Sequence, residues 1–318
     1  MNSKFNDQTT AEEAASCFAG EVKGKTVLVT GCTWGGLGAE SARVIAKYGA
    51  GLVIVSGRRK ESLNETIKKI KEETPGAKLF PLIIDLASLA SIRLAAKEVN
   101  QLSVPIDILI NNAAIMAPVY ETTLDGFESH FGTNHLGPFL FTSLIMPRIL
   151  ESKSPRIVNV SSMGYRFSPI RFNDYNFTNR EEYSMWRAYG QSKTANILFS
   201  LELSNRYKKR GVSAFSLHPG VIKTNLGNQV DLEVETRNMV DTEGKPLVLE
   251  DIKWKTIEQG ASTHIVAALD PSIKDQSGSF LHDAQINNTV VMKYALDEAN
   301  ARELWSLSEQ LVGQKFNI

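Results

Sequence analysis

The feature that most constrains the fold is a regular alternation of short apolar runs with longer segments of helical periodicity. The apolar runs are nearly continuous and rich in β-branched residues, and they occupy residues 27–30, 52–56, 79–84, 106–110, 156–161 and 212–218. Strands have this character when helices cover both faces of a sheet. Helical spacing occupies residues 38–48, 61–73, 88–102, 124–151, 184–209 and 296–311. The alternation predicts a single α/β domain with a doubly wound parallel sheet of the Rossmann type.

The composition argues against several other classes of protein. Lys and Arg total 35, as do Asp and Glu, so the chain lacks the basic excess of a nucleic-acid-binding protein. Cys17 and Cys32 are too few for a disulfide framework and have no metal-binding neighbourhood. No apolar run approaches the roughly 18 residues of a membrane helix, and the N-terminus is polar. We therefore expect a cytoplasmic protein without a membrane span, bound metal or nucleic-acid partner, with an extension over residues 1–24 and one domain over 25–318.

A glycine-rich turn joins the first predicted strand to the first predicted helix. It reads TGCTWGGLG over residues 30–38. Glycines let a backbone approach a pyrophosphate closely, while the amides and the dipole at a helix N-terminus attract negative charge. A plain tight turn is the competing interpretation, but the position within an alternating sheet favours a nucleotide site. The predicted phosphate-binding residues are Gly31, Thr33, Gly36, Leu37 and Gly38.

The end of the second predicted strand indicates which dinucleotide binds. A site for NAD usually places an acidic residue there to accept a hydrogen bond from the ribose 2′-hydroxyl, whereas a 2′-phosphate calls for arginine. Here Gly57 occupies the acidic position, and Arg58 and Arg59 follow it. A guanidinium can bind a phosphate through two hydrogen bonds and stack on adenine. The alternative is a solvated basic loop, and we predict an NADP(H) site.

A tyrosine and a lysine one helical turn apart are the candidate proton-transfer groups. Tyr189 and Lys193 lie at i and i+4, so they project from the same face of the predicted helix. A free phenol titrates near pH ~10, and a neighbouring cation would lower its pKa towards neutrality. This spacing is common by chance, so its weight depends on other residues. Ser161 and Ser162 end the fifth predicted strand, and Asn134 lies in the long helical segment before it.

Taken in this order, the motifs resemble the short-chain dehydrogenase/reductase family over nearly the whole chain. The resemblance implies hydride transfer between a nicotinamide and a carbonyl or alcohol. Tyr189 would donate the proton, and Ser162 would orient the substrate oxygen. Lys193 would hold the nicotinamide ribose, and Asn134 would support a proton relay. The further cofactor contacts that the resemblance implies are Asp85, Leu86, Asn111, Ala113, Ile222 and Thr224.

The glycine turn departs from the family's Thr-Gly-x-x-x-Gly-x-Gly pattern by one residue. Four residues separate Gly31 from Gly36, and the bulky Trp34 is among them. We expect the loop to bulge at this point and still bind the cofactor. The departure leaves open which backbone amide meets which phosphate.

A long interval between Ser162 and Tyr189 resembles the branch that contains retinol dehydrogenases, the WW-domain-containing oxidoreductase and protochlorophyllide reductase. Aromatic residues in this interval either line a pocket for a lipophilic or aromatic substrate or pack the insertion onto the core: Phe167, Phe172, Tyr175 and Phe177. Residues 225–254 are polar and charged, and we expect them to form a flap over the substrate.

Two other functions stay open beside carbonyl reduction. The same hydride and proton machinery could reduce a C=C or C=N bond. A regulator could bind NADP(H) without turnover, although the four intact catalytic residues argue against it. The resemblance also implies a homodimer in which the helical segments 124–151 and 184–209 pair across a two-fold axis.

Overall fold

The computed structural model describes residues 4–224, 226 and 253–316. Within these residues the strands are β1 (Thr26–Thr30), β2 (Leu52–Gly57), β3 (Leu79–Ile83), β4 (Ile108–Asn111), β5 (Arg156–Val160), β6 (Ser213–His218), β7 (Val221–Ile222), β8 (Trp254–Lys255), β9 (Phe280–His282) and β10 (Gln285–Ile286). Eight of them form one sheet in the order β10-β9-β6-β5-β4-β1-β2-β3, while β7 and β8 form a separate pair. All neighbours in the large sheet are parallel except β9 and β10. The predicted doubly wound sheet is confirmed.

Helices cover both faces of this sheet. They are α1 (Ala11–Cys17), α2 (Ala19–Val22), α3 (Leu37–Lys47), α4 (Lys60–Glu73), α5 (Leu89–Gln101), α6 (Ser129–Phe131), α7 (Gly137–Ile149), α8 (Met185–Tyr207), α9 (Ile257–Leu269) and α10 (Glu298–Leu311). A π-helical turn, Gly132–Leu136, joins α6 to α7, and a 3-10 turn, Met163–Phe167, follows β5.

Side chains of β1 point alternately into two layers of the hydrophobic core, one on each face of the sheet. Leu28 belongs to the hydrophobic cluster formed with α5, α7, α8 and α10. Val27 and Val29 belong to the cluster formed with α1, α3, α4 and α9 on the other face. Successive side chains of a strand point to opposite faces, and both faces are covered here, so the three middle residues of β1 are all apolar.

The N-terminal helix α1 packs against the domain through buried alanines and an ion pair. A capping box between Thr10 and Glu13 begins α1, and its buried alanines pack in the same cluster as α3 and α9. Arg43 binds Glu12 of α1 at 2.9 Å and Glu73 of α4 at 2.7 Å. Residues that we assigned to an extension therefore contact two helices of the sheet layer.

The C-terminal helix covers the face through which we expected two chains to pair. Trp305 of α10 is 2% exposed, and its ring centroid lies 5.0 Å from that of Phe139 in α7 and 6.1 Å from that of Phe199 in α8. The Nε2 atom of His135 lies 2.8 Å from the Ser308 hydroxyl. The homodimer through α7 and α8 stays a prediction, and α10 occupies part of the surface that it would use.

Two further expectations concerned a flap over the substrate and the lack of a membrane span. The proposed flap, residues 225–254, lies outside the described residues apart from Leu226, Lys253 and Trp254. Among the helices of the described part, none is long and apolar enough to cross a membrane.

Candidate active site

The residues predicted from the sequence converge at one edge of the sheet. The glycine turn follows β1, the two arginines follow β2, and residues 112–113 follow β4. Ser162 follows β5, and the turn at residues 219–220 follows β6. The strand order reverses between β1 and β4, and in open α/β sheets ligands bind outside the carboxyl ends of the strands at such a point.

The first part of the glycine turn brings the backbone against its neighbours. Gly31 has φ +74°, and a Cβ there would lie 2.8 Å from the Ala113 Cα. A Cβ on Gly38 would lie 2.5 Å from the Asn112 Nδ2 atom, which donates to the Thr30 carbonyl oxygen at 2.8 Å. Only glycine fits at either position, so the N-terminus of α3 opens directly onto this edge, as a pyrophosphate site requires.

The extra residue of the turn is accommodated without filling the site. The Gly36 amide donates to the Thr33 carbonyl oxygen at 3.1 Å, and Gly35 between them adopts φ +80°. The Trp34 ring lies against α4, where the Lys69 ammonium is 5.0 Å from its centroid. The expected bulge is present, and it turns the bulky indole onto α4.

The two arginines after β2 are available for a ligand. Arg58 and Arg59 are exposed, and neither guanidinium makes a hydrogen bond or ion pair with any described residue. Gly57 before them packs against Leu63, where a Cβ would lie 3.3 Å from the nearest side-chain atom. Two unpaired cations beside the dinucleotide edge fit a phosphate on the adenosine ribose.

The two asparagines after β4 have different roles. The side chain of Asn111 is buried, and its Nδ2 atom donates to Thr142 at 3.0 Å and to Asn159 at 2.8 Å. The Asn111 side-chain amide therefore makes its bonds within the fold. The Asn112 side-chain amide holds the glycine turn, a role that the sequence did not indicate.

The remaining predicted cofactor residues line the same edge. Asp85 is half-buried and accepts a hydrogen bond from the Ala87 amide at 3.0 Å. The N-terminus of α7 packs on Leu86, whose carbonyl oxygen would lie 2.4 Å from a Cβ on Gly137. These contacts fix the third strand's end against the helix that follows the π turn.

The turn after β6 is brought to the glycine turn by a glycine of α9. A Cβ on Gly260 would lie 2.8 Å from the Ile222 Cδ1 atom and 2.9 Å from the Leu37 Cδ2 atom. The absence of a side chain there leaves room for Ile222 and Leu37 to pack against α9. Thr224, two residues further on, accepts from the Leu226 amide at 3.4 Å.

Tyr189 and Ser162 lie beside each other at Gly164, where an added Cβ would be 3.4 Å from the Ser162 Oγ atom. Ser162 also caps the 3-10 turn that follows β5, because its Oγ accepts from the Gly164 amide at 3.1 Å. Gly164 lies against the phenol ring, where a Cβ would be 2.9 Å from the Tyr189 Cε1 atom. The serine and the tyrosine thus present two hydroxyls side by side, as needed to bind one substrate oxygen.

Lys193 lies one turn below the tyrosine and is fully enclosed. Its Nζ atom donates to the Val160 carbonyl oxygen at 3.2 Å and lies 5.4 Å from the Tyr189 ring centroid. The Ser161 hydroxyl donates to the Lys193 carbonyl oxygen at 2.7 Å, so this serine anchors α8 to β5. The choice of Ser162 over Ser161 as the substrate-facing serine agrees with these contacts.

The protonation of this pair differs from the expectation. We expected the lysine to lower the phenol pKa, but burial raises the pKa of Tyr189 to about 12, partly offset by the Ser162 hydrogen bond. Burial also lowers the pKa of Lys193 to about 7. The expectation was wrong for the free protein because desolvation disfavours the charged form of both groups. At neutral pH Tyr189 therefore holds its proton.

Asn134 sits in the π-helical turn between α6 and α7 and does not bond Lys193 directly. Its Oδ1 accepts from the Ile115 amide at 2.8 Å, and its Nδ2 donates to the Ile115 carbonyl oxygen at 3.0 Å and the Ser192 hydroxyl at 3.1 Å. Single π turns within helices are frequent at functional sites. The side chain ties the loop after β4 to α8 beneath the tyrosine.

The aromatic residues of the long interval divide between core and site. Phe177 is fully buried, and Phe172 and Tyr175 pack against the cluster under α7 and α8. Phe167 contacts Trp186 at 5.2 Å between ring centroids, and Trp186 contacts Tyr189 at 6.5 Å. Three of the four aromatics therefore pack the insertion onto the core, and Phe167 alone continues to the tyrosine.

This arrangement defines a class of protein: an oxidoreductase in which a dinucleotide cradle lies beside a buried serine–tyrosine–lysine set at the carboxyl edge of a doubly wound sheet. The family model for short chain dehydrogenases matches residues 25–235. The chain belongs to the short-chain dehydrogenase/reductase family, whose members use NAD(P)(H).

Relatives and solved structures agree with this assignment. Short-chain dehydrogenase TIC 32 A, chloroplastic, of Brassica napus is 34% identical over 98% of this chain and 95% of its own length. Retinol dehydrogenase 14 of Mus musculus is 36% identical over 92% of this chain and 87% of its own. A crystal structure of an uncharacterised protein from Mycobacterium paratuberculosis superposes with a TM-score of 0.72 at 32% identity, covering 94% of this chain and 97% of that one. The expected resemblance to retinol dehydrogenases is confirmed.

Proposed function

We propose that the chain is an NADP(H)-dependent oxidoreductase that interconverts a carbonyl and an alcohol on a lipophilic or aromatic small molecule. The observation that carries the proposal is that Ser162 and Tyr189 both lie against Gly164, with the buried Lys193 one helical turn from the tyrosine. Two adjacent hydroxyls can bind a single carbonyl oxygen, and one of them carries a transferable proton. A C=C bond offers no such oxygen at the reacting carbon, so the pair favours carbonyl chemistry.

The chain's own residues supply proton transfer and orientation. When bound, the nicotinamide supplies or accepts the hydride. In the reducing direction, Ser162 donates a hydrogen bond to the substrate oxygen, and Tyr189 transfers its phenol proton to the same oxygen as negative charge develops there. Lys193, one turn below, stabilises the resulting phenolate once it is charged. Asn134 holds the loop that closes the site beneath them.

The free site is protonated as reduction requires. Because burial raises the pKa of Tyr189 to about 12, the phenol already holds the proton that reduction consumes. The direction itself follows from the supply of cofactor, and we propose reduction where NADPH is kept in excess over NADP+.

The substrate-facing cluster supports an apolar compound. Met116, Met185 and Tyr189 pack together, and Trp186 and Leu226 pack against them. Thioether and aromatic groups adapt to apolar ligands of varied shape. The retinol dehydrogenases among the relatives are, by name, enzymes of such a lipophilic alcohol.

The direct test is NADPH oxidation by the purified protein with a panel of aromatic and aliphatic ketones and aldehydes, with NADH assayed in parallel. We expect turnover of apolar carbonyls with NADPH. Activity confined to activated alkenes or imines would instead favour C=C or C=N reduction. Cofactor binding without turnover of any of these would favour a regulator. A cytoplasmic location and a homodimer both stay predictions.

We expect NADPH to bind at least tenfold more tightly than NADH, a difference of about 1.4 kcal/mol. The reason is that Arg58 and Arg59 are exposed, unpaired and not accompanied by an acidic side chain at Gly57. Fluorescence titration with both cofactors measures the ratio. Replacing both arginines by alanine should weaken NADPH binding to the level of NADH and leave NADH binding unchanged. Lys60→Ala, which removes one neighbouring positive charge without removing a guanidinium, is the matched control.

A further inference from the structure

We propose that Glu128 and His130 form a buried pair that positions the loop at residues 115–117 against Tyr189. His130 is then a positioning residue for proton transfer and for the substrate-facing wall. The inference rests on the proposed function for its kinetic consequence but not for its structural part. Sequence reasoning did not single out either residue.

The hydrogen bonds determine which nitrogen of His130 carries the proton. The Ala117 amide, which can only donate, lies 2.9 Å from the His130 Nε2 atom, so Nε2 accepts. The Nδ1 atom lies 2.7 Å from the Glu128 Oε1 atom, so Nδ1 carries the hydrogen and donates it to the carboxylate. Both side chains are fully buried. Glu128 thus selects the one neutral tautomer that can hold the Ala117 amide.

The carboxylate itself is fixed by the start of the helix. Its oxygens accept from the His130 amide at 3.0 Å and the Phe131 amide at 2.8 Å, while the Glu128 amide donates to the Asn176 Oδ1 atom at 2.5 Å. The His130 and Phe131 amides thus satisfy the buried Glu128 carboxylate, and the Asn176 contact fixes the Glu128 backbone. Because backbone amides fix the Glu128 carboxylate, the His130 imidazole is hydrogen-bonded to a group that cannot move freely.

The loop that His130 holds forms part of the reacting centre. Asn134 binds the Ile115 amide and carbonyl, and His130 binds the Ala117 amide, so two side chains clamp the loop on either side of Met116. Met116 packs in the same cluster as Tyr189. The His130 ring also meets the Tyr189 ring edge-on, with centroids 6.0 Å apart. A shift of the imidazole would move both the methionine wall and the phenol.

The structural part can be tested without any substrate. Long-range proton–nitrogen correlation spectra of the histidine rings distinguish the two neutral tautomers, and the His130 signals are identified by their loss in His130→Gln. We expect the Nδ1-protonated form in the wild type with NADPH bound and without it. We expect Glu128→Gln to hold this tautomer less firmly, because a glutamine side chain can either accept from Nδ1 or donate to it. An Nε2-protonated ring in the wild type would overturn the proposal.

The kinetic part uses variants that keep or remove the acceptor. His130→Gln places a carbonyl oxygen within reach of the Ala117 amide, and we expect its kcat/KM to stay within about threefold of the wild type. His130→Leu fills similar volume without an acceptor, and we expect kcat/KM to fall roughly tenfold to a hundredfold, mainly through KM for apolar carbonyls. Glu128→Gln should resemble His130→Leu. The control is His264→Gln, since His264 is equally buried but bonds only Ser41.

The outcomes separate this proposal from the function that it builds on. A wild type that reduces no carbonyl but has the expected tautomer would refute the proposed function alone. Wild-type kinetics for both His130→Leu and Glu128→Gln would refute the positioning role, even with the function established. If His130→Leu does not fold, the comparison of His130→Gln with Glu128→Gln decides, since a merely structural role would not be rescued by the acceptor.

Discussion

Tyr189→Phe should reduce kcat for carbonyl reduction by roughly a hundredfold to ten-thousandfold, the range typical of losing a general acid, while NADPH binds as before. The Tyr189 side chain lies beside Ser162, and its ring packs against Met116 and Met185. Phenylalanine keeps the ring and removes only the proton donor. The proton is needed only as charge develops on the substrate oxygen, so the loss falls on kcat rather than on cofactor affinity.

Two measurements give this prediction its meaning. Steady-state rates and a fluorescence titration of NADPH are compared for the wild type, Tyr189→Phe and Tyr207→Phe. Tyr207 is a buried tyrosine at the far end of the same helix, so its variant removes a phenol oxygen from α8 without touching the site. Retention of most of kcat in Tyr189→Phe would mean that another group protonates the substrate, as C=C reduction would allow.

The sheet could be predicted from the sequence because its strands are buried on both faces. The middle of a strand such as β1 must be apolar at successive positions, so it stands out from helices and turns without any knowledge of its neighbours. The candidate residues Ser162, Tyr189 and Lys193 could be brought together from the sequence because the serine follows such a strand and the other two lie on one face of α8. At these positions the residue types suited to proton transfer coincide with the strand ends where the sheet topology places a ligand site.

What the sequence could not supply depends on contacts between distant segments. Burial in the folded protein raises the pKa of Tyr189. The i, i+4 spacing indicates that Lys193 is its partner, but it does not indicate how far the phenol is removed from water. The covering of α7 and α8 by α10 depends on Trp305 meeting Phe139, which lies far away in the chain. The position of Trp34 likewise depends on α4 rather than on its own turn.

The same burial predicts an opposite pair of effects for Lys193→Met: activity should be nearly abolished, while the free protein becomes more stable. Lys193 is fully enclosed, and burial lowers its pKa to about 7 from the ordinary 10.5. Enclosing the charged form therefore costs free energy of folding, by at most about 5 kcal/mol. Methionine fills the space without the charge.

No hydrogen bond is left unmade by this replacement. The Val160 carbonyl oxygen accepts from Lys193 at 3.2 Å, but it also accepts from the Asn196 Nδ2 atom at 3.0 Å. The acceptor therefore stays satisfied when the ammonium is removed. The variant lacks the cation that stabilises the phenolate, so its activity falls. The wild type therefore keeps a less stable fold because the lysine is needed for function.

The gain should depend on pH in a defined direction. Because the folded pKa of Lys193 lies below its unfolded value, the cost to the wild type is complete below about pH 7 and fades as pH rises to the unfolded value of 10.5. Urea unfolding of the wild type and Lys193→Met should differ most near neutral pH and converge near pH ~10. Lys71→Met, at an exposed position of α4, should show no such convergence. A Lys193→Met variant that is less stable than the wild type at neutral pH would contradict the burial cost, and one that keeps kcat would remove Lys193 from the proton-transfer set.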